Sequence, residues 1–291
     1  QINLFGKGQK VSLEWEFGKR RLSFTFSFEE PWLWGSRTGL GLGLWNTDRR
    51  FDTFDESRTG GNVTLSRRFS REWIGALTYT LQDVSISTGG AFSTAGQLTS
   101  QNGTASSLSP TLTWDTRDNR ILPSRGFRNS LTLDTVGGIL GGTFDYLRGV
   151  YDFSNAVRLT GRLSIGTHAR YGLANGYGGS DVPLFDMFPV GGTDSVRGYD
   201  ERLLGTANNR WGKAMFVTNT ELRYPLIPPF TLIGAVFLDG GRAWDNVSLI
   251  TSRTFAADLD WGAGIGFRFT LPGTIMQLRF DYGWPFAVDR L

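Results

Sequence analysis

The chain has 291 residues, among them 39 Gly, 22 Phe, 10 Trp and 8 Tyr, and its 30 basic and 27 acidic residues leave a net charge of +3. Such aromatic content excludes a disordered tail, and glycine without a three-residue period excludes a collagen-like chain. The best candidate for a spanning helix, residues 225–238, falls short of the roughly 20 apolar residues required and is broken by Pro225, Pro228 and Pro229, which excludes a helical membrane bundle.

Strict alternation of apolar and polar residues marks strands with two unlike faces. In chain order, Val11, Leu13, Trp15 and Phe17 alternate with Ser12, Glu14 and Glu16. Leu22, Phe24, Phe26 and Phe28 then alternate with Ser23, Thr25 and Ser27. Further segments centre near residues 41, 64, 78, 111, 131, 148 and 163. Beyond them, Phe216 and Leu222 flank a face carrying Asn219, Glu221 and Arg223, and two more segments centre near 235 and 266. The last places Met276, Leu278, Phe280 and Tyr282 opposite Gln277, Arg279 and Asp281. The pattern predicts thirteen strands and an all-β fold.

A soluble sandwich also alternates, but several features point to a transmembrane antiparallel β-barrel. The segments are long enough to cross hydrocarbon as tilted strands, and closure would remove the backbone edges that lipid cannot satisfy. Their apolar faces are rich in Phe, Leu and Trp, while the opposite faces carry the charges of a wet lumen. Trp32, Trp34, Trp73 and Trp114 stand at segment ends, as interfacial aromatics do. Gly39, Gly41 and Gly43, and likewise Gly262, Gly264 and Gly266, fall on one face of a strand, where they relieve crowding in a curved wall.

Link lengths alternate as in bacterial barrels. Short links are expected at 29–35, 67–72, 153–156, 225–230 and 271–274, and long external ones at 46–57, 87–106, 172–212 and 245–258. Two links depart from the pattern: 115–126 is long for a turn, and 18–20 is short for an external loop. Thirteen strands is an odd number where bacterial barrels have even counts, so the chain reads as a barrel incomplete at its ends.

Four stretches in order carry a family resemblance. Phe188–Tyr199 reads Phe-Pro-Val-Gly-Gly-Thr-Asp-Ser-Val-Arg-Gly-Tyr, and 3–8, 114–126 and 237–241 read Asn-Leu-Phe-Gly-Lys-Gly, Trp-Asp-Thr-Arg-Asp-Asn-Arg-Ile-Leu-Pro-Ser-Arg-Gly and Phe-Leu-Asp-Gly-Gly. Together they resemble the BamA-like outer-membrane assembly superfamily from one end of the chain to the other. The resemblance implies a sixteen-stranded barrel of which 1–291 is a single partial domain holding strands three to fifteen, with the periplasmic POTRA modules absent. It implies a bacterial outer-membrane insertase with a lateral seam. Its partners would be outer-membrane lipid, unfolded β-barrel clients and periplasmic accessory lipoproteins. The functional loop motif is carried to Val196, Arg197, Gly198 and Tyr199, with Glu221 and Asp239 as inner-wall partners of the arginine. The turn motif falls on Trp114, Asp115, Arg117, Asp118, Pro123 and Gly126.

Read on their own chemistry, Arg197, Glu221 and Asp239 are either a bidentate lumen pairing or separate charges in water. Asp115 and Asp118 suit a turn that caps its own backbone better than a metal. His168, the one histidine, stands beside no ordered nucleophile, and no Walker loop or nucleophile elbow is present. No Cys is present, so no thiolate site or disulfide framework exists, and both signs of charge are scattered, which argues against a nucleic-acid groove. No cofactor, metal or enzymatic activity is expected. The competing functions are a polypeptide-secreting relative (a two-partner secretion transporter or a TamA-like protein) and a passive porin.

Overall fold

The structure, a computed structural model, describes residues 2–4, 6–51, 54–88, 101–205, 211–227, 232–246, 248, 258–270 and 277–286. It is an antiparallel β fold whose only helical pieces among the described residues are single 3-10 turns such as Leu33–Gly35. The strands are β1 (Ile2–Leu4), β2 (Gln9–Phe17), β3 (Arg21–Glu30), β4 (Thr38–Arg50), β5 (Phe54–Arg68), β6 (Trp73–Thr88), β7 (Gln101–Asp115) and β8 (Gly126–Val136). They continue as β9 (Tyr146–Thr160), β10 (Leu163–Gly176), β11 (Phe188–Pro189), β12 (Trp211–Gly212), β13 (Ala214–Ile227), β14 (Leu232–Trp244), β15 (Asp260–Thr270) and β16 (Gln277–Phe286). Fourteen of them hydrogen-bond in chain order from β1 to β10 and on through β13 to β16, while β11 and β12 form a separate pair. The thirteen expected segments are β2–β10 and β13–β16. To these the fold adds the three-residue β1, in the stretch read as a turn at 3–8; Phe5 of that stretch lies outside the described residues.

Two expected links are corrected. Residues 153–156 are not a turn but the middle of β9, whose Phe153, Ser154, Asn155 and Ala156 continue the ladder to Thr160. The reversal comes at Gly161, which adopts φ +46° with nothing within reach of an added Cβ. Polar Ser154 and Asn155 imitate turn chemistry, but pairing of the flanking strand overrides local propensity. The long link placed at 46–57 is likewise mostly strand, because β4 runs to Arg50 and β5 starts at Phe54 with Arg50 opposite Asp55. Pro225 also stands inside a strand, opposite Ile233, next to a register shift that accommodates its missing N–H. The link at 271–274 and parts of those at 87–106, 172–212, 225–230 and 245–258 fall outside the described residues.

The chain folds as two compact units. The first comprises Gln1–Leu112, Thr132–Arg148 and Asn175–Pro183. In it, period two separates two faces: Leu13, Trp15 and Phe17 on β2 and Leu42 and Leu44 on β4 are solvent-exposed, while Gly39, Gly41 and Gly43 lie on the other face. A Cβ on Gly43 would meet the Asn62 side chain at 2.7 Å and one on Gly39 the Ser66 hydroxyl at 2.9 Å, so these glycines leave room for the neighbouring strand's side chains. Trp32 and Trp34 project from the turn after β3, and Trp34 is 93% exposed.

The second unit comprises Thr113–Leu131, Gly149–Ala174 and Leu184–Leu291. Leu222, Tyr224, Val236, Leu238, Ile265, Phe267, Phe280 and Tyr282 form an exposed apolar face across β13–β16. Its opposite face is covered by the segment after Leu184, which buries Phe188, Val190, Val196 and Leu204. Ala214, Trp244 and Leu259 extend this core against Tyr171, Leu173, Phe216 and Trp261. A soluble protein would bury the greasy face and leave the charged one in water. Here the arrangement is reversed.

Candidate functional site

The site lies on the polar face of the second unit, where register places Asn219 opposite Asp239, Asp239 opposite Gly262, and Gly266 opposite Asp281. Odd-numbered residues of β13, β14 and β16 and even-numbered residues of β15 therefore share this face. The glycines matter here because they leave room for another backbone. A Cβ on Gly262 would stand 2.1 Å from the carbonyl oxygen of Arg197, and one on Gly283 would stand 3.0 Å from the Gly198 nitrogen. The loop lies in the trough they open.

Arg197 enters this trough with its side chain 7% exposed. Its Nε donates to Asp239 Oδ2 at 2.6 Å and Nη2 to Oδ1 at 2.8 Å, a bidentate fork, while its backbone N–H donates to the same carboxylate at 3.1 Å. Nη1 reaches Asp281 Oδ2 at 3.0 Å and Glu221 Oε1 at 3.3 Å. The guanidinium also sits 3.4 Å from the centroid of the buried Phe237 ring. Burial by itself pushes the Arg197 pKa down, but the hydrogen bonds and charge of Asp239, then Asp281 and Glu221, outweigh it and hold the guanidinium above its ordinary value. The guanidinium itself stays charged at every accessible pH.

The clamp is wider than one arginine. Arg268, 4% exposed, bridges Glu221 and Asp281, Arg223 Nε donates to Glu221 at 2.6 Å, and Arg279 Nε donates to Asp281 at 2.5 Å. Four arginines thus share the three carboxylates of Glu221, Asp239 and Asp281. Asp239 is fully buried, and Arg197 satisfies both of its oxygens.

The neighbours of Arg197 seat the loop. Val196 is fully buried, packed where a Cβ on Gly241 would come within 2.9 Å of its Cγ2. Gly198 adopts φ +97°, and an added Cβ would lie 2.7 Å from the Trp284 carbonyl carbon. The Tyr199 hydroxyl stands 3.1 Å from the Trp261 carbonyl oxygen and 3.0 Å from that of Phe286. Asn219 Nδ2 donates to the Ser195 carbonyl at 2.6 Å, and its Oδ1 faces His168 Nδ1 at 3.1 Å. His168 Nε2 faces Asp152 at 3.1 Å, so the one histidine links β9, β10 and β13 within the wall.

The turn residues form a separate structure in the same unit. Arg117 donates Nε and Nη2 to the two oxygens of Asp115 at 2.9 and 2.8 Å, and Trp114 meets Phe127 edge-on at 4.5 Å. Asp118 accepts from the N–H groups of Asn119, Ser124 and Arg125 and from the Ser124 hydroxyl at 2.6 Å. Burial would raise its pKa, but the Ser124 and backbone hydrogen bonds win and set it at about 2. Gly126 adopts φ +95° with a virtual Cβ 2.5 Å from the Thr116 oxygen, and Pro123 lies within the loop that Asp118 closes. Both aspartates are occupied by their own turn. Among the described residues no three His, Cys, Asp or Glu side chains are arranged to hold a metal ion.

Sequence reading missed Arg268 and Asp281. Alternation placed Asp281 on the polar face, but nothing in the pattern says which strand a loop arginine reaches.

The Omp85 superfamily domain matches residues 3–290. The chain belongs to the Omp85 superfamily. It is 27% identical over 298 residues to the outer membrane protein assembly factor BamA of Nitratidesulfovibrio vulgaris, covering 99% of this chain and 36% of that one. A SAM50-like protein of Schizosaccharomyces pombe is 27% identical over 300 residues, covering 96% of this chain and 62% of the relative. In fold it matches the crystal structure of Haemophilus ducreyi BamA lacking POTRA domains 1–3 with TM-score 0.82, at 17% identity over 98% of this chain and 62% of that chain. This Omp85 chain is an all-β outer-membrane protein corresponding to the barrel portion, and it spans about a third of the length of its BamA relative. Its exposed apolar faces are of the kind that lipid covers in a transmembrane β-barrel.

Proposed function

We propose that this Omp85 chain is the wall of a bacterial insertase that folds other β-barrel proteins and delivers them into the outer membrane. The observation that carries the reading is the buried clamp, in which one loop guanidinium is held by carboxylates of three different strands through Glu221, Asp239 and Asp281. A clamp of that kind braces a wall from its polar side. The Val196-Arg197-Gly198-Tyr199 loop keeps β13–β16 in register while a weakly closed seam elsewhere in the complete barrel opens. At that seam, unpaired N–H and C=O groups accept client strands by β-augmentation, and the growing sheet moves into lipid. The work is done by hydrogen-bond exchange. It needs no covalent chemistry or cofactor, and the protein is not an enzyme. Its partners are outer-membrane lipid, unfolded β-barrel clients and periplasmic accessory lipoproteins, with POTRA modules delivering the clients.

The test is reconstitution of the full-length protein in liposomes with a urea-unfolded β-barrel client. Arg197→Ala is expected to slow client insertion and to lower the temperature at which the heat-modifiable band converts. Normal insertion with unchanged conversion would overturn the reading, and a large, steady conductance in planar bilayers would replace it with a porin.

A further inference from the structure

Beside the clamp, the second unit carries a half-open cavity of about 350 Å3 between the 116–125 turn and the polar face of β10, β13 and β16. Arg117, Arg120, Arg223 and Arg279 line it together with Asp194, Glu221 and the clamp residues Arg197 and Arg268. These arginines are not equally committed. Arg223 uses only Nε, on Glu221, and Arg279 leaves Nη1 without a partner among the described residues. The guanidinium of Arg120 makes no hydrogen bond or ion pair there; only its carbonyl is engaged, by Arg117 Nη1 at 3.4 Å.

The Arg223 head is seated rather than loose. A Cβ on Gly166 would stand 3.1 Å from its Cζ and 3.2 Å from both terminal nitrogens, so the bare glycine lets the planar group lie flat on β10. Its Nη1 and Nη2 make no hydrogen bond among the described residues, which leaves a planar N–H edge of the kind that receives a carboxylate bidentately. Asn155 and Gln277 line the same space and supply amide groups suited to a peptide backbone. Arg120 on the turn, Arg223 on β13 and Arg279 on β16 come from separate elements, a spread that suits single carboxylates spaced along a chain.

We propose that this cavity is a binding site for an acidic peptide segment, with Arg120, Arg223 and Arg279 receiving its carboxylates. The site is independent of insertase activity, since it is defined by binding alone. The test uses the full-length protein in detergent micelles and fluorescein-labelled hexaglutamate as probe, with hexalysine as control. Saturable binding of hexaglutamate and none of hexalysine is expected. Arg120→Glu should weaken it about tenfold or more, with recovery in Arg120→Lys, while heat-modifiable migration stays normal. Asn155→Asp, which adds a negative charge from β9, should weaken it independently if the Arg120 variant fails to fold. Equal binding of both peptides, or affinity unchanged in both charge variants, would overturn the proposal. So would displacement of hexaglutamate by inorganic phosphate or succinate at matched concentration, which would make this a small-anion site.

Discussion

In the first unit, the exposed strand charges meet in pairs. Lys10–Glu29, Arg21–Glu16 and Arg50–Asp55 leave every side chain more than 40% exposed, while the Arg58–Glu56 and Arg148–Asp134 pairs are better buried. Glycines and small hydroxyl residues pave the polar face, with Thr64 facing Thr78 at 2.9 Å. In the second unit the buried charges are linked: Glu221 and Asp281 each meet the loop Arg197 as well as strand arginines, and Arg197 ties both to Asp239. Isolated exposed pairs contribute little, because water serves both partners almost as well. A buried network is different: its desolvation cost is already spent, so removing one member leaves charges that nothing else can satisfy. The contrast makes the second unit the place where loss of one charge is expected to cost most.

The sharpest way to break that contrast is Arg197→Ala, which strands a fully buried Asp239 and should cost about 3–5 kcal/mol, read as a lower conversion temperature of the heat-modifiable band. Arg197→Lys should recover only part, because an ammonium cannot span both oxygens of Asp239. Gly198→Ala should cost about 2–3 kcal/mol, since a Cβ there meets β16 in addition to the strain of a positive φ. The matched control is Gly141→Ala in the first unit, also at positive φ but with open space around it, where about 1 kcal/mol is expected. Equal losses at the two glycines would mean that the loop does not press on β16. Tyr199→Phe removes one hydroxyl from the Trp261 and Phe286 carbonyls and should cost about 1 kcal/mol in the same assay.

Acid gives a local version of the comparison. Asp118 has a folded pKa of about 2, below the roughly 3.9 of an unfolded aspartate, so its contribution is complete above that value and is lost as pH falls through about 2. Amide exchange at Ser124 and Arg125 should therefore stay slow at pH 4 and rise toward pH 2. Protection lost already at pH 4 would contradict it. The smallest effect is expected from Glu16→Gln, whose exposed pairing with Arg21 should change stability by less than about 0.5 kcal/mol in equilibrium unfolding.

Most of the strand layout was legible because side chains alternate across a strand with a period of two, and each unlike face leaves its own mark. Trp15, Phe24 and Phe280 declared an outward face without any knowledge of their neighbours. The turn at 115–126 was legible for a similar reason, since Asp118 bonds amides within its own turn. Residues 153–156 were misread because Ser154 and Asn155 favour turns locally, and only pairing along β9 decides otherwise.

The site divides along the same line. The family resemblance of the loop motif pointed to Arg197, Glu221 and Asp239, where the residues by themselves left pairing and separate lumen charges open. It did not contain the reach of Arg197 to Asp281, the bridge made by Arg268, or the trough of Gly262 and Gly283, because these depend on register between strands and on where a loop comes to rest. Local pattern determined which faces exist. Only the tertiary structure decided which charges on them meet, because contact between residues 84 positions apart is set by packing and not by period.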